Sequence, residues 1–549
     1  MTWSPGRHMG LTLTPATPAG KWLGFVTVLW IQSICGLNYG FSNYSDALKS
    51  LMNLTQLQLN NLSVAKDVGT VFGLLPGLAS DRFPSHLLLL IGALEAFIGF
   101  GVQWLIIARI INPLPYWQMC VLFCLAANSS AWMNTAVLVP CMRNFRKNMG
   151  LVSGIVKGYV GLSAAIFTDV SVALFPGDPS AYLFMCAVVP PPVCLVAALL
   201  HREILPSSST RAEEEREETK YFGVINALAV VLAVHLLIFD VTWTHGRAVS
   251  LLFALVLLVL LASPLLIPLY AFIKDFIHEG TLTNETLVSE PLLTGEDIVV
   301  DEGERKWEAA GVGVVELRRR AVIGEDHTIF EAFRSVEFWI LFGSFLCGVG
   351  TGLTVINNMG QIGKALGYSD VSVFVSLISI SGFFGRIISC VVSEYFIKTA
   401  GTPRPLWNAA SQIIMALGYV IMAMALPGSL YIGSIVIGIC YGTRLAIVVP
   451  TASELFGLKY FGLIYNILQL TIPLGSFLFS GLLAGYLYDA QATSVAGGGN
   501  SCSGAQCYRL VFLIMSVACI IGFGLDVLMV IKTKNVYAKI YAVYHSKLK

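Results

Sequence analysis

The chain has 549 residues, of which 56% are hydrophobic and only 12% are charged, and its formal net charge is +1. Soluble domains carry about 25% charged residues, so this composition excludes a water-facing surface of ordinary size. The small net charge also argues against a nucleic-acid partner, because no dense basic patch is available. The composition therefore indicates an integral membrane protein.

Apolar runs follow one another along the chain, and each is long enough to cross a hydrocarbon core of roughly 30 Å. Because Met1–Gly20 lacks an apolar core, we expect no cleavable signal peptide, and the first span should act as the insertion signal. The sequence predicts about fourteen spans, at roughly 22–48, 62–80, 85–108, 116–142, 149–174, 181–200, 221–245, 248–274, 336–357, 371–397, 406–426, 430–452, 461–488 and 509–531.

The predicted spans form two groups of six, separated by two additional spans and a polar stretch. This stretch mixes acidic and basic runs without an apolar period, which is typical of a flexible linker. The sequence leaves open whether a short amphipathic helix forms near Arg305–Arg320. The expected organisation is a cytoplasmic N-terminus (1–21), an N-terminal six-helix bundle (22–200), a cytoplasmic loop with two extra spans (201–275), a flexible cytoplasmic linker (276–334), a C-terminal six-helix bundle (335–531) and a basic cytoplasmic tail (532–549).

Lysine and arginine residues concentrate in the loops on one side of the predicted spans. Positively charged loops favour the cytoplasmic side. A cytoplasmic N-terminus places Arg143 and Lys532 inside, with most other basic loop residues. The outside loops then carry two glycosylation sequons, which begin at Asn53 and Asn61.

Cys502 and Cys507 lie in a Gly/Ser-rich outside loop. An oxidising environment would let them pair, and the sequence leaves a disulfide and two free thiols equally open. Most of the other cysteines lie singly inside apolar runs without metal-ligand spacing, as inert buried thiols do. We therefore expect no metal site and no cofactor.

The six spans before the insertion resemble the six after it. Gly36-Leu37-Asn38 in the first span corresponds to Gly352-Leu353-Thr354 in the first span of the second half, and Val139-Pro140 corresponds to Val449-Pro450. Two parallel halves of six spans are characteristic of major-facilitator transporters, whose substrate site lies at the midplane between the halves. The predicted fold class is an all-α membrane protein with the major facilitator fold: two six-helix bundles plus two extra central spans.

A candidate gating motif, Gly77-x-x-x-Asp81-Arg82, follows the second span and resembles the loop motif of that superfamily. Its carboxylate and guanidinium could latch the two bundles in one state and release them in the other. Glu394 ends the corresponding span of the second half. The alternative is a surface ion pair worth under about 1 kcal/mol.

Six longer motifs are distributed over nearly the whole chain: Gly36–Tyr39, Asn128–Ala131, Asn134–Val139, Val156–Ile166, Gly352–Ile362 and Glu454–Tyr460. These motifs resemble the plant nodulin-like family, the group that includes the nuclear-fusion-defective-type proteins. The resemblance implies the facilitator fold without defining a substrate. The chain also has a more distant likeness to monocarboxylate transporters.

Lys157 and Arg386 are cations well inside predicted spans, where an ionisable residue is costly and indicates a functional site. Lys157 lies about 13 Å from the cytoplasmic end of its span at 1.5 Å per residue, and snorkelling to the surface is its alternative. Arg386 resembles the arginine with which monocarboxylate transporters hold a substrate carboxylate. Asn43 and Gly382 stand where those transporters carry a lysine and often an aspartate, which counts against a shared mechanism.

Uncharged hydrogen-bonding residues on the first helix of each half are candidates for substrate binding, since these helices line the cavity in this fold. Hydrogen bonds between helices are the alternative role, worth about 0.6 kcal/mol on average. The candidates are Asn38, Tyr39, Asn43, Asn357, Asn358 and Gln361.

Two carboxylates inside spans are candidates for proton coupling. Glu95 lies in the third span and could carry a proton or form a structural pair. Asp169 lies nearer the outer end of the fifth span and could also be a gate or a solvated end residue.

The combined interpretation is a secondary transporter or facilitator of a small organic solute, predicted to be an organic anion, working by alternating access, with proton coupling left open. Carriers of neutral or cationic solutes and a non-transporting membrane sensor or scaffold are the alternatives. No ATP-binding P-loop is present, and no enzymatic activity is expected. We expect one chain to form the transport unit in the lipid bilayer of either the plasma membrane or the vacuolar membrane.

The charge bias predicts that both termini and the 276–334 linker face the cytoplasm. Epitope tags at Met1, at Lys549 and near Gly303 should all resist external protease in sealed cells. Cleavage at any one of the three tags would contradict the predicted span count.

Overall fold

Fourteen helices in the described part of the chain are long and apolar enough to cross a membrane, which confirms the predicted number of spans. The computed structural model describes residues 18–54, 56–80, 82–145, 148–175, 178, 180–200, 212–241, 246–274, 323–368, 372–491, 493–495 and 499–546. Spans 1 to 14 are Ala19–Gly40, Asn61–Ala79, Ser85–Ile107, Tyr116–Asn144, Met149–Leu174, Ala181–Leu200, Glu217–Phe239, Arg247–Lys274, Val336–Ala365, Val373–Ala400, Pro405–Met424, Ser429–Phe456, Phe461–Tyr488 and Gln506–Val543.

Several spans are built from shorter helical pieces. Proline lacks a backbone N–H and cannot continue the helical hydrogen-bond ladder, so Pro190 divides span 6 and Pro473 lies near the change of pitch in span 13. The pieces are Pro18–Cys35 and Leu37–Gly40 in span 1; Gln56–Gly69, Thr70–Gly73 and Leu74–Ala79 in span 2; Ala181–Val188 and Pro190–Leu200 in span 6; Arg247–Ala262 and Ser263–Leu265 in span 8; and Phe461–Gln469, Thr471–Gly475, the π-helical Ser476–Ala484 and Gly485–Gln491 in span 13. Helices extending beyond or lying between the spans are Ser42–Met52, Ala212–Val241, Ile329–Arg334 and Gln506–Ser546.

A small hairpin lies between spans 13 and 14. Strand β1 (Thr493–Val495) pairs antiparallel with β2 (Gly499–Ser501), and a disulfide joins Cys502 to Cys507 directly afterwards. We call this side of the membrane the hairpin face. The opposite side, where Lys21, Arg82 and Arg404 lie, is called the basic face.

The two halves meet closely along span 5, which packs against spans 10 and 12. Gly154 faces Cys390, and Gly158 faces the ring of Phe383. Ser153 Oγ donates a 2.8 Å hydrogen bond to the carbonyl oxygen of Ala446. Small residues let the helix backbones approach in a bilayer, where apolar burial does not drive helix association. The glycine spacing of span 5 therefore sets the distance between the halves.

The two extra spans, 7 and 8, pack against the first half. Both contact span 5, and span 7 also contacts span 10 of the second half. Trp30 donates a 2.9 Å hydrogen bond from Nε1 to the carbonyl oxygen of Leu261. Glu218, at the start of span 7, forms an ion pair with Lys21 and accepts a hydrogen bond from Asn148. Spans 7 and 8 are thus attached to the first half both at the basic face and within the membrane-spanning region.

The last residues of the predicted flexible linker (276–334) are packed against the second half. Asp326 Oδ1 accepts backbone hydrogen bonds from Leu458 and Lys459 at 3.0 and 3.2 Å. The helix Ile329–Arg334 begins with a capping box between Thr328 and Glu331. These local hydrogen bonds stabilise residues 326–334, because capping satisfies helix N–H groups that otherwise need water. The possible helix near Arg305–Arg320 lies outside the described residues.

A buried ion pair holds the second half together. Arg444 of span 12 binds Asp526 of span 14 at 2.9 Å, and both side chains are 1% exposed. Ser344 of span 9 donates to the same carboxylate at 2.5 Å and accepts from Arg444 at 2.6 Å. Three spans therefore share one charge-neutral cluster inside the bundle.

Removal of one member of this pair should destabilise the protein strongly, because it leaves a buried charge unpaired. We expect Asp526→Ala to cost about 3 kcal/mol and to lower the apparent melting temperature of the detergent-purified protein. Lys532→Ala is the matched control, since its pair with Glu337 is partly exposed and should change stability little. Equal melting temperatures for the two variants would contradict a structural role of Asp526.

Candidate transport site

Two cavities lie between the halves, and both are lined by Tyr39 of span 1 and Arg386 of span 10. Their volumes, which include space open to solvent, are about 680 and 450 Å³. The larger is called the polar chamber; its further polar lining residues include Thr70, Ser130, Asn134, Lys157, Asn466 and Gln469. The smaller is called the apolar chamber; its further lining includes Gly161, Ile356, Met359, Val375, Ile378 and Gly382.

Arg386 lies at the junction of the two chambers and is 4% exposed. A side chain at Gly161 would collide with its guanidinium, and one at Gly382 would lie 3.5 Å from Nη1. Gly161 thus makes room for the arginine between spans 5 and 10, whereas the distance at Gly382 is an ordinary van der Waals contact. Among the described residues, no ion pair or hydrogen bond joins this guanidinium to another side chain.

Lys157 lines the polar chamber from the opposite half. Its Nζ donates a 2.9 Å hydrogen bond to Asn134 Oδ1 and lies 5.1 Å from the centre of the Tyr465 ring. Gln32 donates to the same amide oxygen at 3.2 Å. The partners of Lys157 among the described residues are therefore neutral.

Among the described residues, the lining of the polar chamber contains two cations and no carboxylate. One cation belongs to each half, because Lys157 is on span 5 and Arg386 is on span 10. Low-dielectric walls strengthen the attraction of such a site for negative charge. The arrangement favours a small anion that contacts both halves at once.

The candidates on span 1 and on the following helix Ser42–Met52 differ in their positions. Tyr39 lines both chambers. Asn38 donates a 3.1 Å hydrogen bond to Ser130, and Asn43 donates a 2.7 Å hydrogen bond to Thr168. Neither asparagine is among the residues that line the two chambers, so a role of either in substrate binding stays a prediction.

The candidates on span 9 also bind other helices rather than the chambers. Asn357 donates a 3.1 Å hydrogen bond to Asp67, and Asn358 donates a 2.9 Å hydrogen bond to Ser480. Gln361 accepts a 2.8 Å hydrogen bond from the hydroxyl of Tyr508.

The two proton-coupling candidates lie away from the chambers. Glu95 accepts hydrogen bonds of 2.9 and 3.2 Å from the amide of Asn128 in span 4. Asp169 is buried on span 5. Neither residue lines the polar or the apolar chamber, so proton coupling through them stays a prediction.

A carboxylate that the sequence analysis missed, Asp67 of span 2, connects the halves toward the hairpin face. Its Oδ2 accepts hydrogen bonds from Ser476 at 2.6 Å and from Asn357 at 3.1 Å. Its Oδ1 lies 3.3 Å from Nζ of Lys66. The adjacent Lys-Asp pair inside a predicted apolar span was the signal that could have identified it.

Contacts also join the halves at the basic face. Gly77 packs against Leu463 and Asn466, leaving no room for a side chain without displacement. Asn466 donates a 3.0 Å hydrogen bond to Thr135. Of the predicted gating motif, Arg82 is exposed and Asp81 lies outside the described residues. With the Asp67 contacts, the halves touch on both sides of the chambers.

Glu394 belongs to a charged cluster at the same face. It binds Arg404 at 2.6 Å and Lys398 at 3.3 Å, and Arg404 also binds Glu454 at 2.8 Å. Burial would lower the pKa of Arg404, but Glu454 and Glu394 raise it well above its ordinary value. Gly150 of span 5 packs directly on this cluster, which extends across the interface between the halves.

Loss of the Asp67 contacts should loosen the hairpin face. We expect Asp67→Ala to raise backbone hydrogen exchange in Gln56–Gly69 and Ser476–Ala484 by about threefold or more, given about 0.6 kcal/mol per interhelical hydrogen bond. Hydrogen-exchange mass spectrometry on the purified protein measures this change. The control is Asn358→Ala, whose bond to Ser480 stays within the second half and should leave Gln56–Gly69 unchanged; an equal rise of exchange in Gln56–Gly69 in both variants would contradict a contact between the halves at Asp67.

Comparison with known families gives two matches that together cover most of the chain. Residues 21–269 match the family described as Nodulin-like, and residues 321–539 match the family described as NFD4, C-terminal domain. The division falls in the segment between the two halves.

Individual relatives agree with these matches. The chain is 31% identical over 534 residues to Protein NUCLEAR FUSION DEFECTIVE 4 of Arabidopsis thaliana, covering 95% of this chain and 90% of that protein. It is 22% identical to Probable transporter mch1 of Emericella nidulans, covering 88% and 81%. The solved structure of the proton:xylose symporter XylE, of the major facilitator superfamily, matches with a TM-score of 0.51 at 12% identity, covering 91% and 94%.

Proposed function

Because this chain belongs to the nodulin-like family and is a transporter of the major-facilitator type, we propose that it carries a small organic anion across the membrane by alternating access. The anion binds in the polar chamber between Lys157 and Arg386. It is driven by its own gradient or by a coupled proton, since the chain has no P-loop for ATP.

The observation that carries this proposal is the absence of a carboxylate partner for Arg386 among the described residues. A charged side chain deep in a bilayer costs at least about 2.5 kcal/mol on insertion scales. The other buried arginines of the second half, Arg404 and Arg444, are each paired with carboxylates. The negative group of the substrate would therefore be the ionic partner of Arg386.

Alternating access follows from the location of the two cations on different halves. An anion between them offsets their mutual repulsion and draws spans 5 and 10 together. The contacts of Asp67 on one side and of Gly77 on the other can then open alternately around a substrate that stays in place. Without the anion, the repulsion favours separation of the halves.

The main alternative to the anion proposal is that the protein transports neutral or cationic solutes. Asn134 and Gln469 in the polar chamber could bind hydroxyl groups, but a neutral solute would leave both cations without a counter-charge. A cationic solute would add repulsion. Competition between carboxylates and uncharged polyols for uptake separates these possibilities.

The substitution Arg386→Lys tests the proposal, because lysine keeps the charge but loses the planar fork that binds a carboxylate through two hydrogen bonds. We expect carboxylate affinity to fall tenfold or more, a loss of about 1.4 kcal/mol. Acetate, butyrate and succinate are the probes, glucose is the neutral reference, and ligand-induced thermal stabilisation of the purified protein is the measurement.

Arg247→Lys is the matched control, since Arg247 is exposed at the start of span 8 and should leave affinity unchanged. Uptake into proteoliposomes then distinguishes a transporter from a scaffold. Unchanged carboxylate binding in Arg386→Lys, or failure of that variant to accumulate in the membrane, would make the arginine structural and contradict the anion proposal.

A further inference from the structure

Building on the proposed function, we infer that the transported anion carries a short apolar group, and that this group occupies the apolar chamber while the negative group binds Arg386. The substrate class is then a carboxylate with a small hydrocarbon tail, rather than a compact dicarboxylate or a sugar acid. Ile378 and Val375 determine the length of tail that fits.

The position of Arg386 supports this inference, because its side chain lines both chambers. Gly161 and Gly382 flank the guanidinium, and both glycines also line the apolar chamber. An anion bound to this guanidinium therefore has the polar chamber on one side and the apolar chamber on the other. One molecule can use both.

The lining of the two chambers is chemically different. Met359 and Ile378 are 1% and 5% exposed, and with Ile356 and Val375 they give the apolar chamber an aliphatic wall. Its polar groups besides Arg386 are hydroxyls, from Tyr39, Ser379 and Tyr441. Lys157 and the amides of Asn134, Asn466 and Gln469 all lie in the polar chamber.

This asymmetry selects against anions that are polar at both ends. A second carboxylate in the apolar chamber would lose its hydration without gaining a cation or an amide donor, which is costly. A methylene group there gains affinity by leaving water. Each buried methylene contributes about 0.8 kcal/mol, or roughly a fourfold gain in affinity.

The affinity of the full-length purified protein for acetate, butyrate, hexanoate and octanoate tests this inference. Succinate and hexanol are the reference ligands. We expect affinity to rise about fourfold per methylene up to a limiting length and then to level off or fall. Succinate should bind more weakly than butyrate, and hexanol should bind weakly because it lacks the carboxylate.

Two variants shift the limit in opposite directions. Ile378→Ala enlarges the chamber and should move the preferred tail to a longer one, whereas Val375→Leu fills it and should move the preferred tail to a shorter one. A merely structural role of these residues would change stability without moving the preferred length. Arg247→Lys should leave the preferred length as in the unmodified protein.

The outcomes separate this inference from the proposed function. If carboxylates bind with an affinity that does not depend on the tail, or if the preferred length is the same in all variants, the apolar-tail inference is wrong and the anion proposal stands. If the unmodified protein binds no carboxylate, or if Arg386→Lys binds them all unchanged, the anion proposal fails and the inference fails with it.

Discussion

The bilayer offers no water to a charged side chain inside a span, and this constraint organises the protein. Several charges inside the spans or at their ends have ionic partners: Arg444 binds Asp526, Arg404 binds Glu394 and Glu454, and Asp67 lies beside Lys66. Against this pattern, Arg386 and Lys157 stand out because no described carboxylate pairs with either of them. Cations without ionic partners are costly in a membrane, and the proposed binding of an anion would offset that cost.

Close helix packing brings those two cations to one cavity. Span 5 presents Gly150, Gly154, Gly158 and Gly161 toward the second half, and each position faces a side chain of spans 10 or 11 or the loop between them. Small residues permit this approach where apolar burial gives no driving force between helices. The same glycine face receives the charged cluster at the basic face, the Phe383 ring and the Arg386 guanidinium. The candidate substrate site and the interface between the halves are thus one structural feature.

Several polar residues act at the interface between helices rather than in the chambers. Asn357, a candidate for substrate binding, instead connects Asp67 of the first half to the second. The extra spans extend the interface, since Glu218 contacts Lys21 and Asn148 while Asn148 accepts a 3.4 Å hydrogen bond from Lys398. Movement of one half against the other must therefore break polar contacts at the hairpin face or at the basic face. The contacts that remain at the opposite face differ between the two cases.

The sequence by itself determined the class, the number of spans, the two halves and the family, because these depend on run length, composition and repeated local motifs. It also indicated Lys157 and Arg386, since a charge inside an apolar run is visible without a partner. Only the tertiary structure decided which polar residues share a cavity. Asn38 and Tyr39 are adjacent in the chain, yet one binds Ser130 and the other lines both chambers. That difference depends on helix rotation and on partners more than ninety residues away, such as Ser130 for Asn38 and Ser476 for Asp67, and local sequence carries no information about either.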